Sequence, residues 1–272
     1  MSVATSPICA QWTVTSLSPS AASESVAYNI FGDQQVGRVF LGSTDHASLW
    51  NGSAESWINL NPAGASDAAA RGIAGDEQVG YATFEHGINH AGLWRGSAES
   101  WTDLHPAAAQ ESRAYDIADG QQTGYANIGG YNHASLWTGS ADSWVDLHPA
   151  VATQSFAFDV SAGEQVGYVS IGLTTHASLW KGTADSWVDL TPARAVSSSM
   201  AFGAFQGRQV GYVNVEEHIP HASVWRGSAE SWVDLNPVGA FGSVALGAFG
   251  DYQVGSALIG RSDRASLWSG SA

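Results

Sequence analysis

Several features that define common protein classes are scarce in this 272-residue chain. Cys9 is the single cysteine, which excludes an intrachain disulfide and a thiolate metal cluster. No apolar run approaches the length of a membrane span, and residues 1–10 lack the basic and apolar segments of a signal peptide. Ten basic residues face 25 acidic ones, and the net charge of −15 repels phosphate backbones. We therefore expect no nucleic-acid partner, no membrane span and no export signal in the chain as given.

Repetition is the most abundant feature of the sequence. The phrase His-Ala-Ser-Leu-Trp, with small changes, occurs six times at intervals of 43 to 45 residues. The copies begin at His46, His90, His133, His176, His221 and Arg264. A second phrase, Trp-x-Asp/Asn-Leu-x-Pro, follows the first five copies, and a looser version opens the chain from Trp12 to Pro19. A third phrase, Gln-Val-Gly-Tyr or a variant, precedes each copy of the first. These phrases use all 12 Trp, two per unit.

Each unit has the pattern of four short strands, because alternating and β-branched runs are separated by Gly- and Asp-rich turns. In the third unit we predict strands at Ser112–Ile117, Gln122–Asn127, His133–Trp137 and Trp144–Leu147. Four antiparallel strands at a period in the forties are typical of a β-propeller blade. The two Trp of each unit are predicted to pack between blades.

The prediction is an all-β fold, a six-bladed β-propeller with four antiparallel strands per blade, as a single domain over residues 1–272. The chain begins with a fourth-strand phrase and stops after a third-strand phrase. We therefore expect the N-terminal strand to pair with the C-terminal blade and close the ring, which removes an open edge. The predicted units are residues 20–62, 63–106, 107–149, 150–192, 193–237 and 238–272, the last completed by 11–19.

The repeat resembles a known family. Ala114–Ile117, Gln122–Tyr125, His133–Trp137 and Asp146–Leu147 follow the pattern of the bacterial HAF-type extracellular repeat, and the likeness covers nearly the whole chain. Here Ser stands where that repeat usually has Phe, and the second Trp of each unit is an addition. The resemblance implies a repeat propeller in an extracellular or cell-envelope setting, and it implies no catalytic residues.

The predicted first strands present two columns of side chains that could face the central channel. In adjacent units these columns place Arg71 and Arg113 close to tyrosines, a combination that suits an anionic or sugar ligand. The candidate ligand-binding residues are Tyr28, Arg71, Arg113, Tyr115, Phe156 and Asp116. The alternative is that these columns only pack blade against blade, with Asp116 and Asp159 pairing with the arginines.

The repeated histidines are too far apart in a sixfold ring to share one metal ion, so we expect them to hydrogen-bond and hold the loop before the third strand. The aspartates of the fourth strands are expected to protect the outer edge. Two loops carry weak candidates for private metal sites, and otherwise no metal or cofactor is predicted. These candidates are Glu85, His86 and His90 in one unit and Glu217, His218 and His221 in another.

The leading functional hypothesis is a non-catalytic binding or interaction propeller, with a carbohydrate or cell-surface molecule as a candidate ligand, because near-identical units offer repeated clefts. The first alternative is an enzyme, a lyase or hydrolase, with one site at the variable mouth of the channel. The second alternative is a scaffold without a small ligand. We expect a monomer, and the sequence leaves its cellular location open.

Overall fold

The computed structural model describes residues 13–216 and 218–269, and each repeat unit forms one antiparallel sheet. Five sheets have four strands, and the sixth has three among the described residues. We call the sheets blades 1 to 6 in chain order and number the strands of each blade from first to fourth. None of the helical turns in the described ranges is long or apolar enough to cross a membrane.

The strands recur at equivalent places in every blade. The first strands are Glu24–Phe31, Asp67–Ala74, Ser112–Ala118, Gln154–Ser161, Ser199–Phe205 and Ala240–Phe249. The second strands are Gln34–Leu41, Glu77–Thr83, Gln121–Ile128, Glu164–Ile171, Arg208–Glu216 and Tyr252–Ile259. The third strands are Thr44–Trp50, Asn89–Trp94, Tyr131–Trp137, Thr174–Trp180, Ile219–Trp225 and Ser262–Ser269. The fourth strands are Ile58–Asn59, Thr102–Asp103, Val145–Asp146, Val188–Asp189 and Val233–Asp234.

Short 3-10 turns lie beside these strands. Five of them precede a fourth strand, and the sixth, Glu85–Gly87, lies between the second and third strands of blade 2. The five repeated turns are Ala54–Ser56, Ala98–Ser100, Ala141–Ser143, Ala184–Ser186 and Ala229–Ser231. In blade 3 the turn ends at Trp144, so the fourth strand is two residues long rather than the four predicted. The other three predicted strands of that unit are confirmed, each with bounds one or two residues wider at one or both ends.

The core lies mainly between successive blades. Between blades 2 and 3, Leu93 and Leu104 from one side pack with Ile117 and Trp137 from the other, and all four are buried. The third-strand Trp of blades 2 to 5 are fully buried against the preceding blade, which confirms for these four the prediction that they pack between blades. Burial of this much aromatic surface is a main source of stability for a fold without disulfides.

One glutamine side chain connects two turns in each of blades 1 to 4. In blade 3 the side chain of Gln122 accepts a hydrogen bond from the Gly139 amide at 2.7 Å and donates one to the Gly120 carbonyl at 2.9 Å. Gln122 opens the Gln-Val-Gly-Tyr phrase. Its counterparts make the same pair of bonds in blades 1, 2 and 4, so the repeated Gln satisfies one backbone group at each of the two turns.

The two end blades leave apolar side chains exposed. Ile30 of blade 1 is 63% exposed and Leu267 of blade 6 is 64% exposed, whereas the equivalent Ile117 and Leu93 are 3% and 0% exposed. Residues 13–23 form no strand, and Trp12 lies outside the described residues. The predicted six sheets are confirmed, and the predicted closure of the ring stays a prediction.

Candidate functional site

Each first strand carries a β-bulge at the same place. In blade 2, Ala70 pairs with Gly80 and Gly72 pairs with Val79, so Arg71 between them has no partner. A bulge redirects the extra side chain and strengthens the local twist. The bulge residues of the six blades, which we call the bulge arc, are Tyr28, Arg71, Tyr115, Phe158, Phe202 and Leu246.

Members of the bulge arc contact one another from blade to blade. The Arg71 guanidinium carbon lies 4.1 Å from the centre of the Tyr28 ring. The ring centres of Tyr115 and Phe158 are 5.8 Å apart, as are those of Phe158 and Phe202. First strands of adjacent blades pack against each other, so the arc runs along the side where the blades converge. Four of its six members are aromatic, Arg71 adds a guanidinium group, and Leu246 adds an aliphatic side chain.

A second row of rings lies behind the arc and comes from the Gln-Val-Gly-Tyr phrase. Its glycine is required because a Cβ at Gly124 would collide with the Arg113 carbonyl oxygen on the facing first strand. The tyrosine that follows packs on the next blade, with the Tyr125 and Phe156 rings 5.1 Å apart. Burial raises the pKa of Tyr168, another member of this row, to about 12, so its hydroxyl is neutral at pH 7.

Arg71 and Arg113 lie on tyrosine faces and form no ion pair with any described residue. The Arg113 guanidinium carbon is 4.4 Å from the centre of the Tyr81 ring, and that of Arg71 is 5.9 Å from the same ring. The Nε atoms of both arginines are buried and find no hydrogen-bond partner in the described part of the chain. Two half-buried cations thus share one tyrosine ring without a carboxylate.

Nearby carboxylates are engaged elsewhere. Glu111 accepts a hydrogen bond from the Tyr125 hydroxyl at 2.7 Å and one from the side-chain amide of Asn89 at 3.2 Å. Asp116 accepts from the Val160 amide at 3.2 Å, across the boundary between blades 3 and 4. The alternative that Asp116 pairs with the arginines is therefore wrong, because its carboxylate is held by the backbone of the next blade.

Asp159 repeats this inter-blade contact one blade further. Its carboxylate accepts from the Val160 amide at 2.7 Å and from the Ala204 amide at 2.6 Å. Burial raises the pKa of Asp159 well above its ordinary value, and the neighbouring Asp116 raises it further. Burial likewise raises the pKa of Asp116. Each of the two carboxyl groups hydrogen-bonds to the backbone of the next blade. The alternative that Asp159 pairs with an arginine is therefore also wrong.

The six predicted ligand residues do not form one cluster. Tyr28, Arg71 and Arg113 are linked through the cation–π contacts given above, and Tyr115 continues the arc beside them. Phe156 lies in the second row, between Tyr125 and Tyr168. The bulge and the contribution of Tyr81 were missed by sequence reasoning. The sequence feature that could have indicated them is the constant Gly of the Gln-Val-Gly-Tyr phrase, which has no room for a side chain.

The repeated histidines bind the fourth strand more consistently than the loop before the third strand. In blades 2 to 5 the His Nδ1 atom lies 2.8 Å from an Asp carboxylate of the fourth strand, as in the pair His133–Asp146. The other oxygen of Asp146 accepts from the His148 amide at 2.8 Å. The predicted loop contact occurs in blades 1 and 4, where His46 and His176 lie close to a Thr hydroxyl. The fourth-strand aspartates therefore have a direct hydrogen-bonding role beyond edge protection.

The weak candidates for metal binding that the structure describes are either exposed on loops or hydrogen-bonded to other residues. Glu85 and His86 are exposed in a 3-10 turn, while His90 bonds Asp103 and stacks on a second histidine ring. His218 is exposed, and Glu217 lies outside the described residues. His221 bonds Asp234. Within residues 13–216 and 218–269, no group of three metal-ligating side chains is brought together.

A separate cavity of about 330 Å³ lies between blades 5 and 6. Its wall is mainly apolar and includes Ile219, Pro220, Phe241, Val244 and Leu258. It opens beside the second-to-third-strand connection of blade 5, away from the two unpaired arginines. His218, Ser243, Ser256 and Asp263 supply the polar part of its lining.

Comparison with known proteins supports the fold. No family model and no curated protein matches the chain, so the HAF-type resemblance stays a prediction. The chain is similar to a puromycin hydrolase structure, at 11% identity and a TM-score of 0.65, over 91% of this chain and 44% of that one. It is similar to Pyrococcus horikoshii acylaminoacyl peptidase, at 10% identity and a TM-score of 0.60, over 92% and 45%. It is also similar to the BP39L lectin from Burkholderia pseudomallei, at 13% and 0.51, over 90% and 80%.

These similarities correct the leading functional hypothesis. The hypothesis of a non-catalytic propeller for a carbohydrate or cell-surface ligand is wrong, because the hydrolase and the peptidase match with higher TM-scores than the lectin does. This chain spans less than half the length of the hydrolase and peptidase chains that it matches. At these identities the similarity shows the fold alone, and that fold is a β-propeller of antiparallel blades.

Proposed function

We propose that this chain is a propeller module that works beside the catalytic domain of a hydrolase acting on peptide-like compounds. One observation carries the proposal: nearly the whole chain superimposes on less than half of a puromycin hydrolase and of an acylaminoacyl peptidase. A module of this kind would contact the substrate and leave bond cleavage to the other domain.

The bulge arc supports a substrate-contacting role. Its rings face the converging side of the blades, and Tyr28, the arc member at the open end, is 37% exposed. Aromatic faces and guanidinium groups together suit peptide-like molecules, which combine apolar side chains with polar ends. The function that we propose for the arc is to hold such a molecule by its apolar part.

Calorimetric titration with N-acetyl-Phe-Ala and N-acetyl-Ala-Ala tests this role. We expect the purified chain to bind the phenylalanine compound with a Kd of about 1 mM or lower, and the alanine compound at least about fivefold more weakly. Phe158→Leu removes a ring from the arc and should weaken only the phenylalanine compound. Phe205→Leu is the matched control, because Phe205 packs on Phe249 rather than on the arc.

Two results would overturn the proposal. One is the absence of binding by both compounds at about 10 mM, which corresponds to a binding free energy weaker than about 3 kcal/mol. The other is release of free alanine from either compound by the chain alone, which would place catalysis inside the propeller. A loss of binding in Phe205→Leu equal to that in Phe158→Leu would remove the arc from the explanation.

We also propose that residues 15–17 supply the fourth strand of blade 6 and that blade 6 then packs on blade 1. The turn after Pro19 supports this, because the Ala22 amide donates to the Pro19 carbonyl at 3.0 Å, as at the Pro of every fourth-strand phrase. Ile30 and Leu267 would cover each other as Ile117 and Leu93 do between blades 3 and 2. Closure would complete a six-bladed ring with no open edge.

A disulfide test distinguishes closure from association of two copies. By analogy with the pair Ser48–Asn59 in blade 1, closure places Ser16 opposite Ser266. In a Cys9→Ser background, Ser16→Cys/Ser266→Cys should oxidise within one chain, as the control Ser48→Cys/Asn59→Cys should. An intermolecular disulfide, or no disulfide while the control forms one, would refute closure.

A further inference from the structure

We propose that Arg71 and Arg113 form a binding site for a carboxylate group on the converging side of blades 2 and 3. That the carboxylate belongs to a peptide-like molecule rests on the proposed function, whereas the anion site rests on the arginines themselves. Tyr28 and Tyr81 form the aromatic walls of this site. We call it the arginine pair site.

The charge balance makes the absence of a counter-ion unusual. The chain carries 25 acidic and 10 basic residues, so carboxylates are plentiful. Arg38, Arg95, Lys181 and Arg208 each pair with one or two of them. Arg71 and Arg113 have no such pair in the described part of the chain, although both are half-buried. Half-buried cations lose hydration and need compensation from a partner.

The Nε donors of both guanidinium groups are left without a hydrogen-bond partner in the described part of the chain. Each group contacts a tyrosine through a ring face, which satisfies the cation but uses no N–H donor. The five donors of an arginine lie in the guanidinium plane and match the two oxygens of a carboxylate. The buried Nε atom of each arginine lacks an acceptor. An unsatisfied buried donor in a folded protein indicates an acceptor from outside the chain, such as a water or an anion.

The surrounding contacts keep the two arginines without a carboxylate partner from the described part of the chain. Tyr28 accepts a hydrogen bond from the Arg38 Nε atom at 3.0 Å, so its ring is fixed under Arg71. Glu111 is held by Tyr125 at 2.7 Å, and Asp116 is held by the backbone of blade 4. The carboxylates closest along the sequence to Arg113 are thus held by other partners, and Asp67, the closest to Arg71, accepts a hydrogen bond from the Asp45 amide at 2.9 Å. A ligand carboxylate would supply the missing acceptor.

Hippurate and its uncharged analogue hippuramide test the inference, because they differ only in the carboxylate. We expect calorimetry to show binding of hippurate at least about tenfold tighter than that of hippuramide, since charge-assisted hydrogen bonds contribute this much. Arg113→Met keeps an apolar stem on Tyr81 and should abolish the difference. Arg71→Met should do the same, and Arg113→Lys should reduce it because a lysine cannot bind bidentately.

Arg226→Met is the matched control, because Arg226 is exposed in the turn after a third strand. It should retain the tenfold preference. Three separate variants at the site ensure that a folding defect in one does not decide the result.

The outcomes separate this inference from the proposed function. Equal binding of hippurate and hippuramide would overturn the carboxylate site and leave the aromatic arc intact. Binding of neither compound would overturn both. Binding of inorganic phosphate as tight as that of hippurate would show a general anion site and overturn the assignment to a carboxylate. A preference for hippurate that survives in both methionine variants would place the carboxylate elsewhere on the chain.

Discussion

The buried amide at the Ala position of the third strand finds its hydrogen-bond acceptor in one of two ways in this protein. Between blades 2 and 3, the Ser112 hydroxyl accepts from the buried Ala91 amide at 2.9 Å and contacts the His105 Nδ1 atom at 2.9 Å. Between blades 1 and 2 the serine position is Ala68, and the Asn61 side chain accepts from the Ala47 amide at 2.9 Å instead. Asn61 occupies the position of His105 in its own unit.

Ser112→Ala removes the first solution without introducing the second. The imidazole of His105 is occupied by the Ala109 carbonyl on its Nε2 side at 3.2 Å, and it stacks on His90 with ring centres 4.0 Å apart. The Ala91 amide is then left without an acceptor in a fully buried place. We expect a loss of about 1–3 kcal/mol in the free energy of unfolding, because an orphaned buried donor costs this much. For a chain of this size the melting temperature should fall by about 2–10 °C.

Adding His105→Asn to Ser112→Ala recreates the arrangement of blades 1 and 2. We expect the double variant to recover most of the loss, to within about 1 kcal/mol of wild type. His105→Asn alone should be mild, because blades 5 and 6 already combine Asn236 with Ser243, with the hydroxyl donating to the amide oxygen at 2.6 Å. We therefore expect a double-mutant cycle to show a favourable coupling free energy of about 1 kcal/mol or more between the two substitutions.

Urea unfolding of the four proteins gives this coupling, and hydrogen exchange at the Ala91 amide reports the bond directly. Exchange should be faster in Ser112→Ala and slow again in the double variant. If Ser112→Ala unfolds at the wild-type urea concentration, or if the double variant is no more stable than Ser112→Ala, then the inter-blade bond does not carry the stability assigned to it.

Three further predictions concern stability. The raised pKa of Asp159 means that the folded state holds its proton more tightly than the unfolded state, so stability should fall as pH rises from the ordinary Asp pKa to the folded one. In urea unfolding midpoints measured from pH 4 to 8, Asp159→Asn should reduce this loss of stability with pH, whereas Asp119→Asn, in an exposed turn, should not. An unchanged pH dependence in Asp159→Asn would contradict the assignment of the loss to Asp159. Gln165→Ala should cost about 1–3 kcal/mol in urea unfolding, because it leaves the Gly182 amide without its acceptor at 2.8 Å, and a smaller loss would mean that water replaces the glutamine. Gly124→Ala should prevent normal pairing of the first two strands of blade 3, seen as faster hydrogen exchange there, and wild-type protection would show that the backbone can separate.

Near-identical sequence units make the local structure predictable. The turns rich in Gly and Asp and the alternating strands act over a few residues, and the predicted strand Ser112–Ile117 differs from the observed one by a single residue. The Trp positions likewise indicated blade-to-blade packing, because two large rings per unit need a partner surface. The short fourth strand was overestimated, since the turn at Ala141–Ser143 ends only at Trp144.

The candidate site was only partly predictable. Arg71 and Arg113 were singled out as unusual members of otherwise apolar columns, but their tyrosine partners belong to neighbouring blades or strands. The alternative that Asp116 pairs with the arginines was wrong, because its carboxylate accepts from the backbone amide of Val160, 44 residues along the chain. Contacts at that separation depend on how one blade is rotated against the next. The sequence pattern within a single repeat unit does not determine this rotation.

By itself, therefore, the amino-acid sequence determined the number of repeat units, the strands within each unit and the turns that join them, since each depends on neighbours within about a dozen residues. Tertiary structure alone decided that the bulge falls at Arg71 and that the Asp116 carboxylate hydrogen-bonds to the next blade and not to an arginine. The physical reason is that these features arise from packing between blades, where side chains distant in sequence compete for the same hydrogen bonds and the same space.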